Sequence, residues 1–152
     1  MATPLLEDSI EIDASPEKVW AAISDLTRMG EWSPQARKII AREPLRLGST
    51  MVNINRSGWK VWPTRSKVIA LEANKEIAFK VLDNGTVWSY TLEPTATGTT
   101  LTERRVAKDG KTSPISAFLV DKAFGGNDNF EADLRAGIRQ TLEAIKATVE
   151  RS

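Results

Sequence analysis

From Arg37 to Lys108 apolar and polar residues alternate with period two, and short turn signals break the alternation five times. Successive side chains of a strand point to opposite faces, so this period marks strands with one buried face. The segments fall at 37–43, 48–57, 60–72, 75–83, 86–94 and 98–108, separated by Pro44 to Gly48, Ser57-Gly58, Ala73-Asn74, Asp83-Asn84-Gly85 and Ala96-Thr97-Gly98. None of these connections reaches the dozen or so residues that a parallel crossover needs, so neighbouring strands should pair antiparallel. Leu5 to Asp13 also alternates, with Leu6, Ile10 and Ile12 on one side, and reads as a first strand.

Helical signals lie on either side of the strand run. Ser15-Pro16 has the form of an N-cap followed by proline at the first helical position, and Val19, Trp20 and Ile23 give that short helix an apolar face. Residues 25 to 34, ending in Glu31-Trp32-Ser33-Pro34, form a second short helical piece or loop. At the other end Asp128 and Glu131 resemble a capping box, and Phe130, Leu134, Ile138, Leu142, Ile145 and Val149 recur every three or four residues. That spacing predicts an amphipathic helix of about 22 residues, roughly 33 Å long. Residues 109–127 are rich in Gly, Pro, Ser and Asn at both ends around an apolar centre, Ile115 to Val120, which suits a short segment closing over the sheet.

This order predicts an α+β domain spanning residues 1–152, an antiparallel sheet curled around the long C-terminal helix. A cavity is expected where sheet and helix do not meet. Composition limits its chemistry. The chain has no histidine and no cysteine, which removes the usual zinc, haem and Ser-His-Asp or Cys-His constellations; no cofactor and no metal is expected. Its 21 basic and 20 acidic residues leave a net charge of +1, with the basic ones scattered along the sequence, so no nucleic-acid partner is expected. Neither a signal peptide nor an apolar run long enough to span a bilayer is visible, and a cytoplasmic protein is the expectation.

Strand parity selects the inward residues as long as no bulge shifts the register. Met51 places Asn53 and Asn55 on its side, and Val68 does so for Trp62, Thr64 and Ser66. Ile77, Phe79 and Val81 follow, then Trp88, Tyr90 and Leu92, then Leu101 with Glu103 and Arg105. The candidate ligand-binding residues are therefore Asn53, Asn55, Trp62, Phe79, Trp88, Tyr90, Glu103 and Arg105, with Phe118 from the closing segment. Apolar walls carrying a few polar groups are typical of small-molecule pockets. Each residue also has a plainer reading: Trp20 as core, Trp62, Trp88 and Tyr90 as core or pocket wall, Trp32 and Trp59 as rim or ordinary packing, and Asn53 and Asn55 as structural amides. Glu103 and Arg105 face one way; inward they are a buried pair, and after a bulge they are surface charges.

Glu31-Trp32-Ser33-Pro34, the stretch from Gly48 to Asn55 followed by Trp62 and Val68, Trp88 to Pro94 with Gly98 to Leu101, and Gly137 to Lys146 together resemble the bacterial polyketide cyclase/dehydrase-like branch of the START-like, or SRPBCC, superfamily. The resemblance covers nearly the whole chain. It implies the helix-grip fold: seven antiparallel strands around a long C-terminal helix, with two short helices between strands one and two. At Asn53 the chain departs from a motif that often carries glycine, which narrows or polarises the expected cavity.

The leading expectation is that the protein binds or carries a hydrophobic small molecule, a lipid, polyketide or aromatic metabolite. The alternative is a cyclase or dehydratase in which Glu103 acts as base, Arg105 and Tyr90 as electrophilic partners and Asn55 as an orienting donor. A client-binding module of the co-chaperone kind is a third reading and needs an exposed apolar groove. A homodimer is compatible with all three.

Overall fold

Each alternating segment becomes a strand within three residues of its expected limits. The computed structural model describes residues 5–32, 36–41, 45–57, 59–83, 85–107 and 127–151. The strands are β1 (Leu5–Ile12), β2 (Ala36–Ile40), β3 (Thr50–Ser57), β4 (Lys60–Glu72), β5 (Glu76–Val81), β6 (Val87–Pro94) and β7 (Thr99–Val106). They form one antiparallel sheet in the order β1-β7-β6-β5-β4-β3-β2, so the first two strands are its edges. Two irregularities interrupt the register, between Ala36 and Lys38 and between Val68 and Ala70. The second lies past the inward run from Trp62 to Val68 and so leaves its parity intact.

Helix α1 (Pro16–Ile23) starts as the sequence indicates: the Ser15 hydroxyl accepts the Lys18 amide at 3.2 Å and Pro16 opens the first turn. A 3-10 turn, Leu26–Glu31, takes the place of the second helical piece. Trp32, just beyond it, is only 5% exposed; its indole N–H donates to Thr148 Oγ1 at 3.1 Å, and the Arg28 guanidinium stacks 4.9 Å from its ring. Trp20, expected as core, is only partly buried and packs against the edge of the core cluster. The segment 109–126, including Phe118, and the side chains of the Asp128–Glu131 box and Phe130 lie outside the described residues.

Helix α2 (Asn127–Arg151) buries Leu134, Ile138, Leu142, Ile145 and Val149 as its periodicity requires. It packs mainly on β1, with smaller contacts to α1 and β7. Because β1 is an edge, its outer backbone groups need partners. The helix supplies them: Arg139 Nη1 donates to Ser9 O at 3.1 Å, Lys146 Nζ to Glu11 O at 2.7 Å, and Glu150 Oε2 accepts the Asp13 amide at 2.8 Å. Glu143 and Glu150, one turn beyond Arg139 and Lys146, hold those two cations in place at 3.0 and 2.7 Å. Lys146 and the Asp13 amide keep the Glu150 carboxyl below its ordinary range.

The β6–β7 turn meets the end of β1 without room for a side chain. A Cβ on Gly98 would stand 2.1 Å from Ile12 O and 3.0 Å from Ala14 N, both backbone atoms. Thr99 Oγ1 locks the same junction by donating to Ala14 O at 2.7 Å. Gly98→Ala is therefore expected to destabilise the fold by about 1–3 kcal/mol as an overpacking change. In thermal unfolding this should lower the midpoint by about 2–4 °C per kcal/mol; an unchanged midpoint would refute the close approach.

Candidate functional site

The register assembles the inner face of the sheet into cross-strand rows. One row runs Leu6, Arg105, Trp88, Phe79, Val68; the next runs Asp8, Glu103, Tyr90, Ile77. Glu103 and Arg105 are each 3% exposed, so the inward reading of β7 holds, and Arg104 points outward to an ion pair with Glu7. Directly opposed residues on antiparallel strands bring their Cβ atoms to about 5 Å. Tyr90 thus faces Glu103 and Trp88 faces Arg105.

Burial dominates the electrostatics of this pair. Desolvation pushes the Glu103 carboxyl from 4.5 up to about 8; a hydrogen bond with the Tyr90 side chain works the other way, and the Asp8 carboxylate adds to the rise. Burial, and then the charge of Glu103, push the Tyr90 phenol well above its ordinary 10. At neutral pH the pair is predominantly an uncharged acid beside an uncharged phenol. Glu103 Oε1 is buried with no hydrogen-bond partner among the described residues, which is uncommon for a polar atom in a folded interior. Asp8 itself is half exposed and lies 3.6 Å from Arg139 Nη1. It is not among the candidates read from the sequence: its parity with Leu6, Ile10 and Ile12 signals its face, but not that β7 places Glu103 opposite it.

The asparagines form a second group. Asn53 Nδ2 donates to Thr64 Oγ1 at 3.2 Å and to Ser66 Oγ at 3.1 Å, and Asn55 Nδ2 donates to Thr64 Oγ1 at 3.0 Å and to Trp62 O at 3.3 Å. The two amides are thus held by each other's neighbours, as structural amides would be. Asn53 on β3 lies four strand positions from Glu103 on β7, or about 19 Å along the sheet at ~4.8 Å per strand. Between the two polar groups stand Phe79 and Val81, buried, and Trp88, half-buried. The sheet therefore brings Tyr90, Glu103, Arg105 and Trp88 together and keeps Asn53, Asn55 and Trp62 apart from them.

Trp59 belongs to neither group, being 84% exposed at the tip of the β3–β4 hairpin with Lys60 Nζ 4.9 Å from its ring centre. A groove of about 710 Å³ opens at the β2–β4 end, walled by Ile40, Leu47, Val52, Leu82, Arg46 and Arg65, and neither Tyr90 nor Glu103 lines it. Among the described residues no cluster of acidic side chains is placed to hold a metal ion.

The Glu103 shift has a measurable consequence. Between about pH 4.5 and 8 the unfolded chain releases this proton and the folded one keeps it. The unfolded state then binds fewer protons, so stability should fall as pH rises through that window and level off on either side. For a shift of this size the loss is on the order of a few kcal/mol. Urea unfolding at pH 5 and pH 8 should show it in the wild type and much less of it in Glu103→Gln. Equal slopes in both would remove Glu103 as the source.

The sequence matches the model of the family described as polyketide cyclase/dehydrase and lipid transport over residues 3–150. Among solved structures it is similar to the Polyketide_cyc-like protein Cgl2372 from Corynebacterium glutamicum, at 35% identity over 97% of this chain and 92% of that one, with a TM-score of 0.62. It is also similar to the di-domain ARO/CYC StfQ of the steffimycin biosynthetic pathway, at 18% identity over 97% of this chain and 51% of that one, with a TM-score of 0.76. The chain thus spans about half the length of that di-domain protein. TTHA0849 from Thermus thermophilus shares 13% identity over 96% of this chain and 97% of its own, with a TM-score of 0.71. These last two likenesses show the fold alone. No curated protein sequence matches the chain. With the helix-grip architecture on one side and a family match over nearly its full length on the other, the chain belongs to the polyketide cyclase/dehydrase and lipid transport family.

Proposed function

We propose that the protein binds an apolar small molecule, a lipid, polyketide or aromatic metabolite, against the concave face of the sheet, with Glu103 and Tyr90 meeting its polar group. The observation that carries this reading is the buried, predominantly uncharged Glu103 carboxyl whose Oε1 has no partner among the described residues. A protonated carboxyl can donate to a carbonyl or hydroxyl oxygen and accept from a hydroxyl, so it fits a neutral oxygen function better than an anion. Phe79 and Trp88 would supply apolar wall beside it, and the family description includes lipid transport.

A second reading has a specific observation in its favour. A carboxyl that titrates near 8 can give or take a proton at neutral pH, which is the property a cyclase or dehydratase needs beside a poly-β-keto substrate. Glu103 would move the proton, and Tyr90 and Arg105 would stabilise the enolate. StfQ, an ARO/CYC protein by its description, shares the fold.

Native mass spectrometry of protein purified from its own host should show an apolar compound that leaves on denaturation. Failure to find one, together with no hit among lipids and aromatic polyketides, would overturn the binding reading. With a ligand in hand, Glu103→Gln should retain affinity within a few-fold, because an amide mimics the neutral acid, whereas Glu103→Leu should weaken binding about tenfold. Turnover of a polyketide substrate by the wild type but not by Glu103→Gln, at equal affinity, would decide for the enzyme.

A further inference from the structure

The charges of this chain are segregated. Residues 32–71 carry eight basic residues and one acidic residue, Glu43, a net of +7, so the remainder carries −6 against a total of +1. Folding places most of this stretch in β2, β3 and β4, at one end of the sheet, while Glu7, Asp8, Glu11 and Asp13 lie at the other end, on β1 and the residue after it. The basic residues are scattered in sequence, and within β2, β3 and β4 the one acidic residue is Glu72, at the end of β4 away from the hairpin.

Exposed apolar side chains gather at the same end. Of nine large hydrophobic residues exposed among the described residues, seven lie between Ile40 and Leu82. The register makes several of them contiguous on the outer face: Ile40 sits beside Val52 and Val52 beside Arg65, Ile54 sits beside Pro63, and Arg56 beside Val61. Leu82 joins this row through its amide, which donates to Arg65 O at 2.8 Å. Thr50, Lys67 and Lys80 form the adjoining row. The β3–β4 hairpin continues past both neighbours: β2 pairs with β3 no further than Asn55, and β5 pairs with β4 no further than Ser66. Its overhanging tip carries Trp59, Lys60 and the 61% exposed Val61.

We propose that the outer face of β2–β4 and the overhanging hairpin dock on an anionic lipid bilayer, with Trp59 and Val61 entering the interface and the basic residues meeting lipid head groups. A contiguous apolar band of this kind marks an interaction surface on a folded domain. The charge around it selects the occupant: each Lys or Arg near an anionic leaflet strengthens binding several-fold, and an amphipathic indole suits the head-group boundary. Asp83, which accepts the Arg65 amide at 2.6 Å, is a lone described carboxylate beside the groove and does not reverse the sign of the patch. This surface is independent of the interior site, so either proposal can fail without the other.

Flotation with vesicles tests it. The wild type should float with phosphatidylcholine vesicles containing a third of phosphatidylglycerol, stay behind with pure phosphatidylcholine, and be released by high salt. The double variant Arg65→Glu, Lys67→Glu should lose at least tenfold in partitioning, and Trp59→Ala several-fold, with unfolding midpoints unchanged because all three side chains are exposed. The wild-type Trp emission should also shift to the blue on anionic vesicles, and that shift should be absent in Trp59→Phe. Equal binding to both vesicle types, undiminished binding by the charge-reversed variant, or binding to a DNA duplex of matching strength would each overturn the proposal, the last by showing generic attraction to polyanions.

Discussion

Everything inside this fold depends on α2 being seated along β1. The contact combines two requirements that are usually met separately. The helix must bury the stripe from Leu134 to Val149, and the edge strand must satisfy outward backbone groups. Arg139, Lys146 and Glu150 sit on the flank of the same helix and reach Ser9, Glu11 and Asp13, so one docking event answers both. A hydrophobic stripe alone would permit sliding along the sheet. Three side-chain-to-backbone bonds spaced along the strand specify one position.

That position lies beside a row of polar side chains, since Arg139 of the helix reaches Asp8. Asp8, Glu103 and Tyr90 come from three adjacent strands, and their alignment follows from a register without bulges across β1, β7 and β6. Burial then changes what Glu103 is. On a surface it would be a carboxylate; in this row the cost of desolvating its charge exceeds the help that Tyr90 gives, and the acid form prevails at neutral pH. The contrast with Asn53 and Asn55 is instructive. Those amides direct their Nδ2 donors to Thr64, Ser66 and Trp62, whereas Glu103 retains an oxygen without a partner among the described residues.

The two ends of the sheet thus carry different physics. β1 carries Glu7, Asp8 and Glu11 and no basic residue, and the buried Glu103–Tyr90 pair lies beside it. Around β2–β4 the charge is positive, apolar side chains face outward, and a hairpin projects past its neighbours. A net charge near zero conceals this division, because composition sums over the whole chain while a sheet sorts residues by strand.

The strands, their antiparallel pairing and the inward parity of nearly every candidate residue were legible in the sequence from local pattern, because period two and short turns are local properties. So were the capping of α1 at Ser15 and the buried stripe of α2. Tertiary structure decided the rest. Which strands become neighbours depends on where the chain returns, so the facing of Tyr90 with Glu103, the separation of the asparagines from that pair, and the part played by Asp8 required the order β1-β7-β6-β5-β4-β3-β2. The burial of Trp32 and exposure of Trp59 were equally undecided, since both lie in loop or turn positions and differ in what packs over them. Charge on Glu103 is set by the dielectric around it, and a dielectric is a property of the assembled interior that no local pattern of residues contains.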